Sequence, residues 1–185
     1  MIRIFIDQGH NPVNPNAGAE ANGRREQDIT YAVGVRLAAL LREDPAFEVR
    51  LSRNTPETIL GGRDNTSSLA ARVNAANSWP ADYFISLHCN TAAVSRIRGS
   101  EAFVYRRAGA AYELAQHLLH GLQTATGLPN RGVEIRDLYV LRRTTMPAVL
   151  VELGFLTNPE DARRMAEEPG LFAEGLYRGL KEYLG

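Results

Sequence analysis

Short apolar runs alternate along the chain with longer stretches in which apolar residues return every three or four positions. The short runs at residues 2–7, 47–51, 83–88 and 148–152 read as strands, and the periodic stretches at 27–42, 67–78, 110–125 and 170–184 read as helices. In the first helical stretch Ile29, Val33, Leu37, Leu40 and Leu41 fall on one stripe; in the last, Leu171, Phe172, Leu176, Leu180, Tyr183 and Leu184 do. Strands alternating with helices predict an α/β fold whose largely parallel sheet is covered by helices on both faces. Residues 99–105 follow the third strand too soon for a crossover helix, so they are expected as an antiparallel neighbour or edge, which makes the sheet mixed. The polar, glycine-bearing stretch 53–68 is expected to be an exposed loop and a candidate wall of a cleft.

Length and composition narrow the function classes. No repeat or low-complexity linker divides the 185 residues, so residues 1–185 are expected to form a single domain. Lys and Arg number 21, as do Asp and Glu, and the zero net charge argues against a nucleic-acid binder or an anionic-membrane binder. It also means that attraction to any anionic surface must come from a local patch or another molecule. With 44% apolar and 23% charged residues, disorder is excluded. Cys89 is the only cysteine, which excludes an intrachain disulfide and a cysteine-rich zinc site. No apolar run approaches the roughly 18 residues of a membrane span. The first six residues read as a strand rather than a signal peptide, so export is expected to follow trimming or another release route.

In open sheets of this kind, ligands bind at the carboxyl ends of the strands. His10 follows the first strand, His88 closes the third, and Glu152 sits in the apolar 148–153 run. Glu26 opens the first long helix, where a carboxylate complements the dipole. A carboxylate inside an apolar strand requires a metal, a cation or a raised pKa, which makes Glu152 the hardest of the four to treat as decoration. Two histidines and a glutamate are a standard ligand set for a catalytic zinc with one open position, and the remaining glutamate is then a natural general base. Strand alternation turns Cys89 away from Ser86, His88 and Asn90, so the cysteine is expected as a buried, small apolar residue rather than a nucleophile. His117 and His120, spaced i, i+3, are expected on a solvated helix face. The paired arginines read as surface, except that Arg142-Arg143 precede the Glu152 strand and lie within reach of a cleft. Asn90, on the face of His88, and Arg143 are the candidate substrate-binding residues.

Ordered motifs run nearly end to end. They are Ile4-Phe5-Ile6-Asp7-Gln8-Gly9-His10, Gly18-Ala19 with Asn22-Gly23-Arg24-Arg25-Glu26, Ser52-Arg53, Arg72 with Ala76-Asn77, Ser86-Leu87-His88-Cys89-Asn90, Gly99-Ser100-Glu101, Arg131-Gly132-Val133, and Pro147 to Asn158. Together they resemble the zinc-dependent N-acetylmuramoyl-L-alanine amidases of the Amidase_3 type, peptidoglycan amidases of autolysins, spore enzymes and phage endolysins. The resemblance implies a mixed sheet of about six strands, zinc (Zn2+) held by His10, Glu26 and His88, and Glu152 as catalytic base. It further implies peptidoglycan or a muropeptide as substrate, action outside the cytoplasm, and room for a regulatory or targeting protein partner. Gln8 stands where proline is usual, Asn11-Pro12 replace a glycine-rich continuation, and Gln27 replaces a frequent lysine. These departures bear on substrate fit more than on chemistry, and the Gln8 to Pro12 segment looks more like clostridial-type sporulation and germination amidases of this family. Rival readings are another zinc peptidase such as a carboxypeptidase, and a non-hydrolytic wall-binding module.

Overall fold

In a computed structural model describing residues 1–185, the four apolar runs pair side by side and parallel. They are β1 (Ile2–Gln8), β4 (Phe47–Leu51), β5 (Tyr83–Asn90) and β8 (Ala148–Phe155). The full sheet has six strands in the order β4-β1-β5-β8-β6-β7, where β6 is Ser100–Val104 and β7 is Asn130–Ile135. β6 runs antiparallel to β8, and β7 runs parallel to β6. The chain is therefore a single α/β domain with a mixed, mostly parallel sheet. A small hairpin, β2 (Glu20–Ala21) and β3 (Arg24–Arg25), turns through Asn22 and Gly23, both at positive φ, as two-residue hairpins require.

The helices are α1 (Glu26–Glu43), α2 (Asn65–Ser78), α3 (Ala110–Thr126), α4 (Tyr139–Arg143), α5 (Pro159–Glu167) and α6 (Pro169–Leu184). Four of them, α1, α3, α5 and α6, cover one face of the sheet. There Val33, Leu118, Met165 and Phe172 pack on Ile4, Ile6, Leu87 and Val151. The opposite face has a smaller core, in which Val73 and Ala76 of α2 and Val140 and Leu141 of α4 cover Phe5, Phe84 and Leu150. Helices α3 and α6 touch backbone to backbone: a Cβ on Gly121 would lie 2.1 Å from the Gly175 carbonyl oxygen, and one on Gly179 would lie 2.3 Å from that of His117. No helix is long and apolar enough to cross a membrane.

Several expectations are corrected by the backbone. β5 and β8 continue past His88 and Glu152, because a polar side chain on one face does not stop the ladder; β5 absorbs the change in a register shift between His88 and Asn90. The antiparallel strand at 100–104 does not neighbour β5, which precedes it, but lies across β8. Residues 65–68 of the expected loop are already helical, since Asp64 caps α2 by accepting the Ser67 amide at 2.7 Å while the Ser67 hydroxyl reaches back to the Asp64 amide. β7, α4 and α5 were not read from the pattern. β7 is an exposed polar edge strand, and α4 is barely more than a turn. α5 is announced by Asn158, whose side chain caps it ahead of Pro159.

Candidate functional site

The site begins with the turn that follows β1. His10 holds the left-handed conformation, with φ 68°, which is costly for a side chain with a Cβ and persists only where the surroundings over-determine it. Three successive carbonyls of this turn are held from below. Thr30 Oγ1 donates to the Gly9 oxygen at 2.9 Å, and Arg72 donates to the Gln8 oxygen at 2.7 Å and the His10 oxygen at 2.6 Å. Arg53 adds a second donor to the His10 oxygen at 3.2 Å. Both arginines are fully buried. The Arg72 charge is matched by Asp7, at 2.6 Å, and Asp7 also accepts from Ser86 Oγ at 2.8 Å. Burial alone would raise the Asp7 pKa, but the Arg72 guanidinium outweighs it and holds the carboxyl below its usual 3.8.

Glu26 reaches the same place from the first turn of α1. Its Oε1 lies 3.1 Å from His10 Nε2 and 3.1 Å from His88 Nδ1, and accepts the Cys89 amide at 2.9 Å. Its Oε2 accepts the Ala19 amide at 3.0 Å. Burial works against ionisation of Glu26, yet the two histidine rings beside it outweigh burial and keep the carboxyl well below the usual range. The ligand atoms of His10, Glu26 and His88 all lie within 4.8 Å of one another. Two glycines permit this: a Cβ on Gly9 would stand 2.6 Å from the His88 ring, and one on Gly18 would stand 3.0 Å from Glu26 Oε2.

Glu152 lies on β8 in register with His88 on one side and Glu101 of β6 on the other. Its Oε2 is buried with no hydrogen-bond partner. Burial first, then the negative charges of Glu26 and Glu101, push the Glu152 carboxyl well above its usual range, with Arg136 as the opposing influence. Asn90, a candidate substrate-binding residue, donates its side-chain amide to Glu101, whose other oxygen stands 3.6 Å from Arg131 Nε.

Beside the two histidines opens a cavity of about 180 Å³, walled by Leu69, Leu138, Tyr139, Val140 and Leu150, with the paired Asp7 and Arg72 also lining it. Arg143 does not line it but is exposed, with its guanidinium 5.9 Å over the ring of Tyr139, which does. The 53–68 loop does not wall this cavity; Leu60 is instead tied by its backbone to the Asn11 side chain, beside His10. Cys89 is buried on the far side of β5, and burial raises its thiol well above the ordinary value. His117 and His120 lie on α3, behind the face opposite Glu152, and His117 contacts Tyr183.

Glu101, Arg131, Arg53 and Arg72 had no role assigned from the sequence. Arg72 was findable, because Leu69, Arg72, Val73 and Ala76 form one helical stripe, which places the arginine on the buried side. Glu101 shares strand parity with Phe103, which belongs to the smaller core.

A family model described as N-acetylmuramoyl-L-alanine amidase matches residues 4–182. The N-acetylmuramoyl-L-alanine amidase CwlM of Bacillus licheniformis is 35% identical over 181 residues, covering 97% of this chain and 66% of that protein. A sporulation-specific N-acetylmuramoyl-L-alanine amidase of Bacillus subtilis is 33% identical, covering 97% of this chain and 65% of its own length. The chain thus spans about two thirds of these relatives. The crystal structure of an N-acetylmuramoyl-L-alanine amidase from Clostridium difficile 630 superposes with a TM-score of 0.88 at 30% identity, covering 99% of this chain and 96% of that one.

Proposed function

The chain belongs to the N-acetylmuramoyl-L-alanine amidase family, and from that premise we propose that it hydrolyses the amide joining N-acetylmuramic acid to L-alanine in peptidoglycan, as a zinc enzyme acting outside the cytoplasm. Residues 1–185 are then the catalytic domain, with a muropeptide or the polymer as substrate. The observation that supports this best is the convergence of His10, Glu26 and His88 beside a carboxyl, Glu152, that has a buried oxygen without a partner.

The three residues suit zinc. In a tetrahedral shell with bonds of about 2.0–2.2 Å, ligand atoms stand roughly 3.3–3.5 Å apart. The Glu26 oxygen lies 3.1 Å from each histidine nitrogen and the three ligand atoms lie within 4.8 Å of one another, so the histidines would close by roughly 1 Å on an ion. A neutral imidazole pair with one carboxylate also leaves the ion a net positive charge. Zinc held there supplies Lewis acidity, which acidifies water and offsets negative charge developing at the scissile carbonyl.

The remaining work falls to the chain. Glu152, one strand from His88, is the group assigned here to take a proton from the attacking water and return it to the departing alanine amine. Its raised proton affinity suits both halves of that transfer, and engaging Glu26 as a ligand neutralises one of the two carboxylates responsible. The buried Asp7–Arg72 pair fixes the His10 turn, so the ligand geometry is set before substrate arrives. The apolar cavity beside the histidines gives one side of the amide a dry wall.

Mass spectrometry of digested peptidoglycan, paired with metal analysis, tests the reading. Release of whole stem peptides is expected, whereas a carboxypeptidase would free single amino acids and a wall-binding module would free nothing. Glu152→Gln is expected to keep zinc while lowering turnover by about 10²–10⁴. Near-normal turnover in that variant would show that another group is the base.

A further inference from the structure

The edge of the sheet beyond Glu152 carries an arginine that no step above uses. β7 holds an extra residue relative to β6: Ser100 pairs with Asn130, but Ala102 pairs with Val133. Gly132, within this bulge, has φ 91°. Bulges on edge strands re-aim side chains, and here the effect is to bring Arg131 back toward the site. Its guanidinium lies 5.2 Å over the Phe155 ring, and its Nε lies 3.6 Å from Glu101. Arg136, at the end of the same strand, lies 4.8 Å over Phe103 and is bound by Glu134.

A plain counter-ion for Glu101 would present its two-pronged fork to the carboxylate. Arg131 does not. One Glu101 oxygen is taken by Asn90, the other stands 3.6 Å from Nε, beyond hydrogen-bond distance, and no hydrogen bond in the structure engages the terminal nitrogens of Arg131. The side chain is 40% exposed yet held against an aromatic ring, so a cationic fork is oriented with little rotamer freedom left to lose. Across the sheet the order runs from the His10, Glu26 and His88 group to Glu152, then Glu101, then Arg131. A substrate centred at Glu152 and extending along this line meets the arginine after the scissile bond.

We propose that Arg131, supported by Arg136, is the anion-recognition element of this site, taking a free carboxylate on the peptide beyond the scissile amide. The inference rests on the amidase reading. The chemistry of the amide supplies the direction: the muramoyl carboxyl is consumed in the bond to be cut, so a remaining carboxylate belongs to the peptide side. In the cavity beside the histidines the one lining guanidinium, Arg72, is already matched by Asp7.

The test compares N-acetylmuramoyl-L-alanyl-D-glutamate with its diamide, as substrates and as competitors of peptidoglycan hydrolysis, using the zinc-loaded protein. The diamide is expected to show a KM or inhibition constant raised about tenfold or more, the effect of losing a charged hydrogen bond. Arg131→Gln is expected to raise KM for the acid by a similar factor, to leave the diamide and kcat nearly unchanged, and to keep the melting temperature. Arg131→Lys is expected to restore part of the preference. Equal handling of acid and diamide by the wild type overturns the inference alone, as does an Arg131→Gln variant that weakens both equally, since Arg131 would then serve only Glu101. Failure of the wild type to release peptide from whole peptidoglycan overturns the amidase reading and the inference with it.

Discussion

Replacing Asp7 by Asn keeps the shape of the side chain and removes only its charge. Asp7 and Arg72 are each 1% exposed, and they meet at 2.6 Å. Asparagine can still accept from Arg72 through Oδ1, and the Ser86 hydroxyl, now 2.8 Å from Asp7 Oδ2, can turn to accept from the new amide. What is lost is the only anion bonded to a buried guanidinium. Breaking a buried ion pair from one side costs about 3–5 kcal/mol. Arg72 keeps the Gln8 and His10 carbonyls and the Asn11 side chain as acceptors, so the low end, about 3 kcal/mol, is expected. At roughly 2–4 °C per kcal/mol for a chain of this length, the melting temperature should fall by about 6–12 °C.

Urea denaturation of the apo protein measures the stability directly, and calorimetric titration with zinc measures the second effect. Because Arg72 holds the carbonyl of His10, slackening the pair should weaken metal binding by about 10–100-fold, the usual scale for groups that orient a ligand. The folded Asp7 pKa lies below its ordinary 3.8, so its contribution is present above that value and is lost as the pH falls through the lower folded value. The stability gap between wild type and Asp7→Asn should accordingly close on strong acidification. An Asp7→Asn protein within about 1 kcal/mol of wild type at neutral pH, with unchanged zinc affinity, would refute the claim that this pair holds the His10 turn.

Other outcomes follow from the same geometry. Gly9→Ala places a Cβ 2.5 Å from the Leu87 carbonyl oxygen and 2.6 Å from the His88 ring, so zinc affinity should drop at least about tenfold by titration; unchanged affinity would mean the turn has slack the distances do not suggest. Gly121→Ala forces α3 from α6 at a 2.1 Å contact with backbone, which should cost about 1–3 kcal/mol in urea while leaving zinc affinity within twofold. Chelation should abolish peptide release and lower the melting temperature, with zinc restoring both; full activity in metal-free protein would exclude the metal mechanism. Cys89, buried and with its thiol pushed up, should resist iodoacetamide at pH 8 in the native protein and react once unfolded.

The sequence pattern exposed the central four strands and the long helices because each has a dry side, and burial writes itself as periodicity. Elements lying in water, such as β7 with its exposed Arg131 and Glu134, leave no such trace. The His10, Glu26 and His88 group was legible as chemistry at strand ends, and Glu152 as a charge in an apolar run. Its neighbours were not, for a physical reason. Glu101 acquires meaning only through pairing with β8, a long-range register that composition does not encode. Arg72 looks like any helical arginine until its stripe is drawn, and the aim of Arg131 depends on a one-residue bulge.

The direction reversal of β6 and β7 has a consequence for how such a site can diversify. In β1, β5 and β8, the candidate functional groups stand at or just beyond the strand exits. The reversed pair meets the same rim at its entrances, through the segments at 91–99 and 127–129. Lengthening or recolouring those two segments would redraw what lies beyond the scissile bond without disturbing the histidines, Glu26 or Glu152. On the proposed reading, the sheet separates the chemistry, kept by strands that arrive, from the choice of substrate, left to strands that depart.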